Sequence, residues 1–386
     1  MRLVSQISRP FHRESVTCLF LLAGFVLTTS LDLAPLSQAQ DWPEAQGPTR
    51  DNISSETGLL SEWPDGGPVQ AWKIRSVGLG YSGPAIVGDR IYIMGARAGK
   101  TEMFALKVTD GSELWSIVLN EKPFDFKGNS WGIGPRATPA VSDGMVYGLA
   151  ADGVLVAATT EGEEKWRINL QKDLGGEVGD VGGGPKTFGW GFCWSPMVDG
   201  EKLICTPGGA DGTFAALDKK TGEVLWRSTE LTEVGTYASP IKAKIEDEEQ
   251  YITMTQMGVA GVSAEDGKLL WHYQRKRPYS DVVIPTPTVV GNMIYMSTGD
   301  GCTLVKVTKT DAGYETESVW SSSKARNMKN ELGGFVILDG QVYGTSDRRG
   351  WDLCPKGPAE WMFLVRKRSA ERLRTRNIHS AGPLGQ

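Results

Sequence analysis

One short phrase recurs along this chain and limits what it can fold into. TGEVLW (221–226) is matched by DGSELW ending at Trp115, EGEEKW ending at Trp166 and DGKLLW ending at Trp271. A looser copy, YETESVW, ends at Trp320. Each places a turn Gly, a charged residue and then a Trp at intervals of roughly fifty residues, and recurrence at such a period signals a solenoid or a propeller. A Gly at that place supplies the positive φ that a tight turn needs.

Alignment on the Trp brings out a second landmark. SGPAIVGDRIYIMG (82–95), ATPAVSDGMVYGLA (137–150), WSPMVDGEKLICT (194–206), ASPIKAKIEDEEQYITM (238–254), PTPTVVGNMIYMS (285–297) and GGFVILDGQVYGT (333–345) share a pattern: small residues, Pro in all but the last, alternating apolar residues, a turn, and a further apolar strand. That pattern predicts a β-hairpin. A third apolar stretch follows each of the first five: MFALKV (103–108), LVAAT (155–159), FAALD (214–218), VAGVS (259–263) and TLVKV (303–307). The Trp strand comes next. One unit is therefore four short antiparallel strands. A single small sheet cannot bury both faces, whereas sheets stacked radially cover one another, so the expected fold class is an all-β propeller of four-stranded blades. The Trp falls on the outermost strand, placed to pack against the next blade. About six blades are readable.

The TGEVLW-type units and the Ser-Pro, Asp-Gly hairpins together resemble the PQQ-like (pyrroloquinoline-quinone-like) β-propeller repeat, over residues 71 to about 350. The start, DWPEAQGPTRDNISSETGLLSEWPDGGPVQAWKI (41–74), is similar to the leading segment of exported PQQ-like propellers, particularly those of planctomycete-type bacteria. The resemblance implies seven or eight blades in a complete ring. It also implies that the first Trp strand, VQAWKI (69–74), completes the last blade.

Outside the repeat, Arg2, Arg9 and Arg13 precede the apolar run 16–29, and small residues near Ala39 suit cleavage, as in a secretory signal peptide. The expected division is a signal peptide at 1–39, an N-terminal lead segment at 40–70, the propeller at 71–350 and a basic tail at 351–386. Export to the periplasm or cell envelope follows, with no transmembrane segment in the mature chain. The formal net charge is −5. Three Arg against Glu14 and Asp32 at the start, and seven Lys or Arg against three acids from 351 on, leave residues 40–350 at −10. Such an acidic body does not suit nucleic acid, whose phosphates need clustered cations. Cys193 and Cys205 flank the turn DGEK (199–202) and are read either as a cross-hairpin disulfide or as two half-buried thiols.

Little in the chain points to chemistry. The quinoprotein dehydrogenases that share this repeat carry an adjacent Cys-Cys pair, and this chain has none. Of three His, only His272 falls in the propeller. It occupies the slot taken by Arg167 and Arg227 in sister repeats and is read as a surface strand residue. GLGYSG (78–83) matches G-x-G-x-x-G but is followed by a hairpin where the dinucleotide fingerprint needs a helix. EVGDVGGGPKTFG (177–189) lacks a phosphate-loop ending and reads as a loop, and KIEDEEQ (244–250) reads as a solvated turn. Any site should lie on the long loops between blades, 120–137, 171–194, 275–286 and 321–332, which gather at one mouth of the channel. Trp131, Arg136, Trp190, Tyr237, Lys329 and Asn330 are the candidates there. Aromatics beside cations suit a flat or anionic ligand, and the alternative is that they plug the channel. The functional expectation is a monomeric, non-catalytic binding or scaffold module that takes an unknown protein or small molecule and no cofactor. A PQQ-dependent alcohol dehydrogenase, with PQQ and calcium, is the alternative. A third reading is a truncated, non-functional propeller, because the turn-and-Trp phrase is missing after Gly350. The basic stretch 358–376 reads either as an amphipathic helix or as sequence foreign to the fold.

Overall fold

Each hairpin–strand–Trp unit folds as one antiparallel sheet in the computed structural model. The described residues are 40–122, 133–179, 189–280, 282–322, 330, 334–338, 341–346 and 350–353. Blade 1 holds β1 (Ala85–Val87), β2 (Arg90–Arg97), β3 (Lys100–Lys107) and β4 (Glu113–Asn120) in that order. Blade 2 holds β5 (Ala140–Ser142), β6 (Met145–Leu149), β7 (Val154–Thr159) and β8 (Glu164–Asn169). Blade 3 holds β9 (Met197–Asp199), β10 (Lys202–Cys205), β11 (Ala215–Asp218) and β12 (Val224–Arg227). Blade 4 runs through β13 (Ile241–Ile245), β14 (Glu248–Met254), β15 (Gly258–Ser263) and β16 (Leu269–Gln274). Blade 5 runs through β17 (Thr288–Val290), β18 (Met293–Thr298), β19 (Gly301–Thr310) and β20 (Gly313–Ser322). The sixth sheet has three described strands, β21 (Phe335–Leu338), β22 (Gln341–Ser346) and β23 (Gly350–Leu353). The first strands lie side by side, β1 next to β5, β5 next to β9 and β17 next to β21, as the inner strands of a propeller do. The third strand of the sixth unit thus forms at GWDL, where the sequence pattern breaks. The one described helix, α1 (Leu170–Leu174), is capped by the Asn169 side chain and opens the loop expected at 171–194.

The recurring phrase has a geometric cause. In every complete blade the last two strands slip by one residue just before the Trp: Ala105 faces Trp115 but Leu106 faces Glu113, and the same slip recurs at Ala157, Ala216, Gly261 and Leu304. Such a bulge twists the strand and re-aims the side chain after it. The residue opposite the Trp is Ala or Gly in four of the five blades, which leaves room for the ring.

The indoles then reach forward. Trp72 lies against Gly111, Trp115 against Gly162, Trp166 against Gly222 and Trp226 against Gly267, each the positive-φ turn Gly of the following unit. Three of them also donate Nε1–H to a turn carbonyl: Trp72 to Val108 at 2.8 Å, Trp115 to Thr160 at 2.9 Å and Trp166 to Lys219 at 3.1 Å. The series stops at blade 4. Trp271 turns onto Gly261 of its own sheet and donates to Gln250 Oε1 at 2.6 Å. The next turn, at Gly313, has nothing near it. Residues 69–74 form no strand, yet Trp72 takes the seat on blade 1 that Trp115, Trp166 and Trp226 take on their successors.

A second fastener runs around the inner strands. Thr138 N–H donates to Ser195 Oγ, and Ser195 N–H to Ser239 Oγ, both at 2.9 Å. The hydroxyls of Ser195 and Ser239, each just before a Pro, are therefore inter-blade hydrogen-bonding groups.

Of the two readings of Cys193 and Cys205, the structure has the unbridged one; both thiols are free. Ile204 pairs with Met197 in the β9–β10 hairpin, so the continuing register sets Cys205 against Pro196 and leaves Cys193 beyond reach. Burial pushes the Cys193 thiol up to about 12, against a smaller opposing pull from Arg136, and burial also raises Cys205.

Candidate functional site at the channel mouth

The loops that lead into the inner strands carry four stacked side chains from four successive blades. Tyr81 precedes β1, Arg136 precedes β5, Trp190 precedes β9 and Tyr237 precedes β13. The Arg136 guanidinium carbon lies 4.9 Å from the Tyr81 ring centre and 5.9 Å from that of Trp190. Trp190 in turn packs on Tyr237, with centroids 5.3 Å apart and planes tilted by 53°. The order is π, cation, π, π, an arrangement in which the ring faces attract the guanidinium.

Backbone bonds fix this stack in place. Tyr81 N–H donates to Pro135 O at 2.8 Å, Trp190 N–H to the Tyr237 hydroxyl at 3.1 Å and Tyr237 N–H to Val283 O at 3.0 Å. Arg136 Nη1 donates to Gly134 O at 3.1 Å, and the Tyr237 hydroxyl donates to Gly179 O at 3.4 Å. A Cβ at Gly80 would press on Pro135, and one at Gly134 on Leu79, so two glycines let the loops of blades 1 and 2 touch. Trp190 Nε1 is buried with no hydrogen-bond partner, and Tyr81 keeps 57% of its surface exposed. A buried donor left unpaired is costly and is satisfied when an acceptor arrives.

Four of the six sequence candidates thus have described places in this stack or at a blade seam. Arg136, Trp190 and Tyr237 come together as adjacent members. Asn330 is buried at the seam of blades 5 and 6, where its backbone N–H donates to Ser297 Oγ and its Nδ2 to Gly334 O. Trp131 and Lys329 lie outside the described residues, as do most of EVGDVGGGPKTFG and the tail from 354 on. The stack also includes Tyr81, which the sequence reading passed over. Its signal was the GLGYSG stretch, which turns out to be the blade 1 mouth loop: Leu79 bridges Ala96 and no helix follows.

His272 corrects the sequence reading. It lies on β16 as expected, but its side chain is only 12% exposed, and Nε2 sits 3.0 Å from Glu233 Oε1 and 3.2 Å from Thr255 Oγ1. Gln274 Nε2 approaches Nδ1 at 3.2 Å. Both Glu233 and Thr255 crowd one ring nitrogen, so this is no nucleophile–base–acid triad, which needs its partners on opposite nitrogens. The slot after the Trp is a backward fastener. Arg167 reaches Leu119 O and Val118 O of blade 1, Arg227 reaches Leu174 O after blade 2, and His272 reaches Glu233 after blade 3. Burial by itself would raise Glu233. The His272 ring, with Met257 N–H and the Thr255 hydroxyl, outweighs it and holds the carboxyl below its ordinary 4.5.

KIEDEEQ is a turn, as expected, with Glu246 at φ 56, and Asp247 and Glu248 are paired with Lys309 of blade 5. Among the described residues, no three His, Cys, Asp or Glu side chains are grouped to hold a metal ion. No described helix is long and apolar enough to cross a membrane.

A family model described as outer membrane protein assembly factor BamB matches residues 54–177 and 105–353. No curated protein matches the chain. Among solved structures, BamB from Moraxella catarrhalis aligns at 17% identity and TM-score 0.46, over 75% of this chain and 70% of that one. Quinohemoprotein alcohol dehydrogenase from Comamonas testosteroni aligns at 15% identity and TM-score 0.49, over 78% of this chain and 57% of its own length. The WD40 β-propeller domain of Doa1 aligns at 11% identity and TM-score 0.37, over 71% and 77%.

Proposed function

The chain belongs to the family described as outer membrane protein assembly factor BamB, and from that membership we propose that it is an exported, non-catalytic propeller that binds a partner at its channel mouth in the cell envelope. One observation carries the reading: the stack of Tyr81, Arg136, Trp190 and Tyr237, assembled from four blades and pinned by backbone bonds. A rigid rim of aromatic rings around a guanidinium suits a flat or anionic group on the partner, and preorganisation lowers the cost of binding it. No acid–base pair stands in this stack, and the His272–Glu233 pair is spent on joining blades.

Crosslinking in an envelope fraction tests the proposal. The intact chain should capture a defined partner, and Arg136→Ala, with its melting temperature unchanged, should lose it. Equal capture by both sinks the mouth as the binding surface. The quinoprotein reading separates cleanly: PQQ with calcium should then raise the melting temperature and support dye-linked alcohol oxidation, whereas the binding reading expects neither.

A further inference from the structure

Residues 41–52 (DWPEAQGPTRDN) run from the turn end of β1 to the heads of β9 and β21 and so cross several blades. Trp42 exchanges two backbone hydrogen bonds with Ile86 of β1, at 2.7 and 2.8 Å. Pro43 O accepts from Val141 N–H of β5 at 2.8 Å, and Asp41 Oδ1 accepts from Gly88 N–H at 2.8 Å. Arg50 donates to Pro196 O at 3.1 Å and Ser195 O at 3.2 Å, at the head of β9. A Cβ at Gly334, before β21, would meet the side-chain amides of Asn52 and Gln46. One short segment therefore touches blades 1, 2, 3 and 6, largely through main-chain groups and one guanidinium on carbonyls. Trp42 is held as an added strand is held on a sheet edge, and residues 45–50 turn across the neighbouring blades.

The segment is not comfortable in its seat. Gln46, Arg50 and Asn52 have φ of 67°, 53° and 62°, three of the six left-handed non-Gly residues among those described. Strain of that kind persists only where the surroundings impose it. Gln46 Oε1 and Arg50 Nε are buried without partners, and the Glu44–Arg50 ion pair at 2.6 Å is almost wholly withdrawn from water, which is expensive for both charges. The chain that follows is a slack tether. Residues 57–71 have no regular structure, and Leu59, Leu60, Trp63 and Val69 stand exposed, Val69 by 94%.

We propose that the exposed edge of β1, with β5 and the head of β9, is a peptide-recognition groove occupied in cis by residues 41–52. A partner segment of the same chemistry, an aromatic–Pro–acid run followed by an Arg, would take the seat in trans when the chain's own segment lifts off. The backbone groups of Ile86, Val141, Ser195 and Pro196 would receive it, and Val198 N–H, which now binds Glu44, would receive its acid.

Hydrogen exchange and peptide binding on the full chain test this. Amides in 41–52, with those of Ile86 and Val141, should exchange at least tenfold faster than amides in β3. A fluorescent DWPEAQGPTRDN peptide should bind saturably, and the same peptide with the Trp and Arg replaced by Ala should not compete. Arg50→Ala in the full chain should raise peptide affinity about tenfold, because a weaker cis occupant leaves more of the groove free. Glu44→Gln should act in the same direction and serves if Arg50→Ala does not fold. Exchange of 41–52 as slow as β3, or peptide binding that is absent or indifferent to both variants, overturns the proposal.

Discussion

The indole of Trp115 lies on Gly162 of the following blade while its Nε1 donates to Thr160 O, 2.9 Å away. A Cβ at Gly162 would fall 2.7 Å from Trp115 Cγ, and Gly162 sits at φ +92°. Gly162→Ala should therefore cost about 3 kcal/mol, combining overpacking with backbone strain. Gly200→Ala is the control: φ is +58° and nothing lies within 4 Å, so about 1 kcal/mol is expected. Denaturant midpoints at constant m-value measure both, and equal losses would show that the ring contact adds nothing.

Trp166 and Trp226 sit on their glycines alike, but Trp166 Nε1 donates to Lys219 O whereas Trp226 Nε1 is buried without a partner. Trp166→Phe should be the more destabilising by about 1 kcal/mol, since it leaves a carbonyl unpaired while Trp226→Phe removes an orphaned donor. Chemical unfolding of the two variants side by side decides this.

Glu233 is held below its ordinary 4.5 in the folded chain. A depressed carboxyl contributes stability that is fully present above the unfolded value and is lost as pH falls through the folded one. The wild-type melting temperature should therefore drop below about pH 4.5, and Glu233→Gln should flatten part of that acid limb while lowering stability at pH 7. An unchanged acid limb in the variant would remove Glu233 from the latch between blades 3 and 4.

The free thiols give a chemical readout. Cys205 is fully buried and Cys193 is pushed up to about 12, so neither should react with a disulfide reagent at pH 8 before the chain unfolds. Added reductant should leave the melting temperature unchanged. A fall of several degrees would mean that a bridge had contributed.

The repeat was legible because its causes are local. The turn Gly, the charged residue and the Trp sit within six residues, and alternating apolar positions mark strands whatever surrounds them. The three members of the mouth stack Arg136, Trp190 and Tyr237 were legible for the same reason, since loop lengths and strand starts locate them. Tyr81 was not, because its loop resembled a nucleotide motif and its partner Arg136 is fifty-five residues away. His272 was misplaced because a slot that reads as polar and outward in one strand is covered by the preceding blade's loop. The choice between a bridge and two thiols at Cys193 and Cys205 was open for a related reason: flanking a turn does not fix register, and the hairpin pairs Cys205 one way only.

The sequence by itself determined the fold class, the blade unit, the outer position of the Trp and the acidic body, all of which follow from spacing and composition. Only the tertiary structure decided what those residues touch: that Trp115 fastens forward while Arg167 fastens back, that Ser195 links the inner strands, and that residues 41–52 lie against blades 1, 2, 3 and 6. The physical reason is that short-range patterns dictate backbone geometry, whereas contacts between blades depend on how whole sheets stack, and no stretch of a few residues encodes the neighbour it will meet.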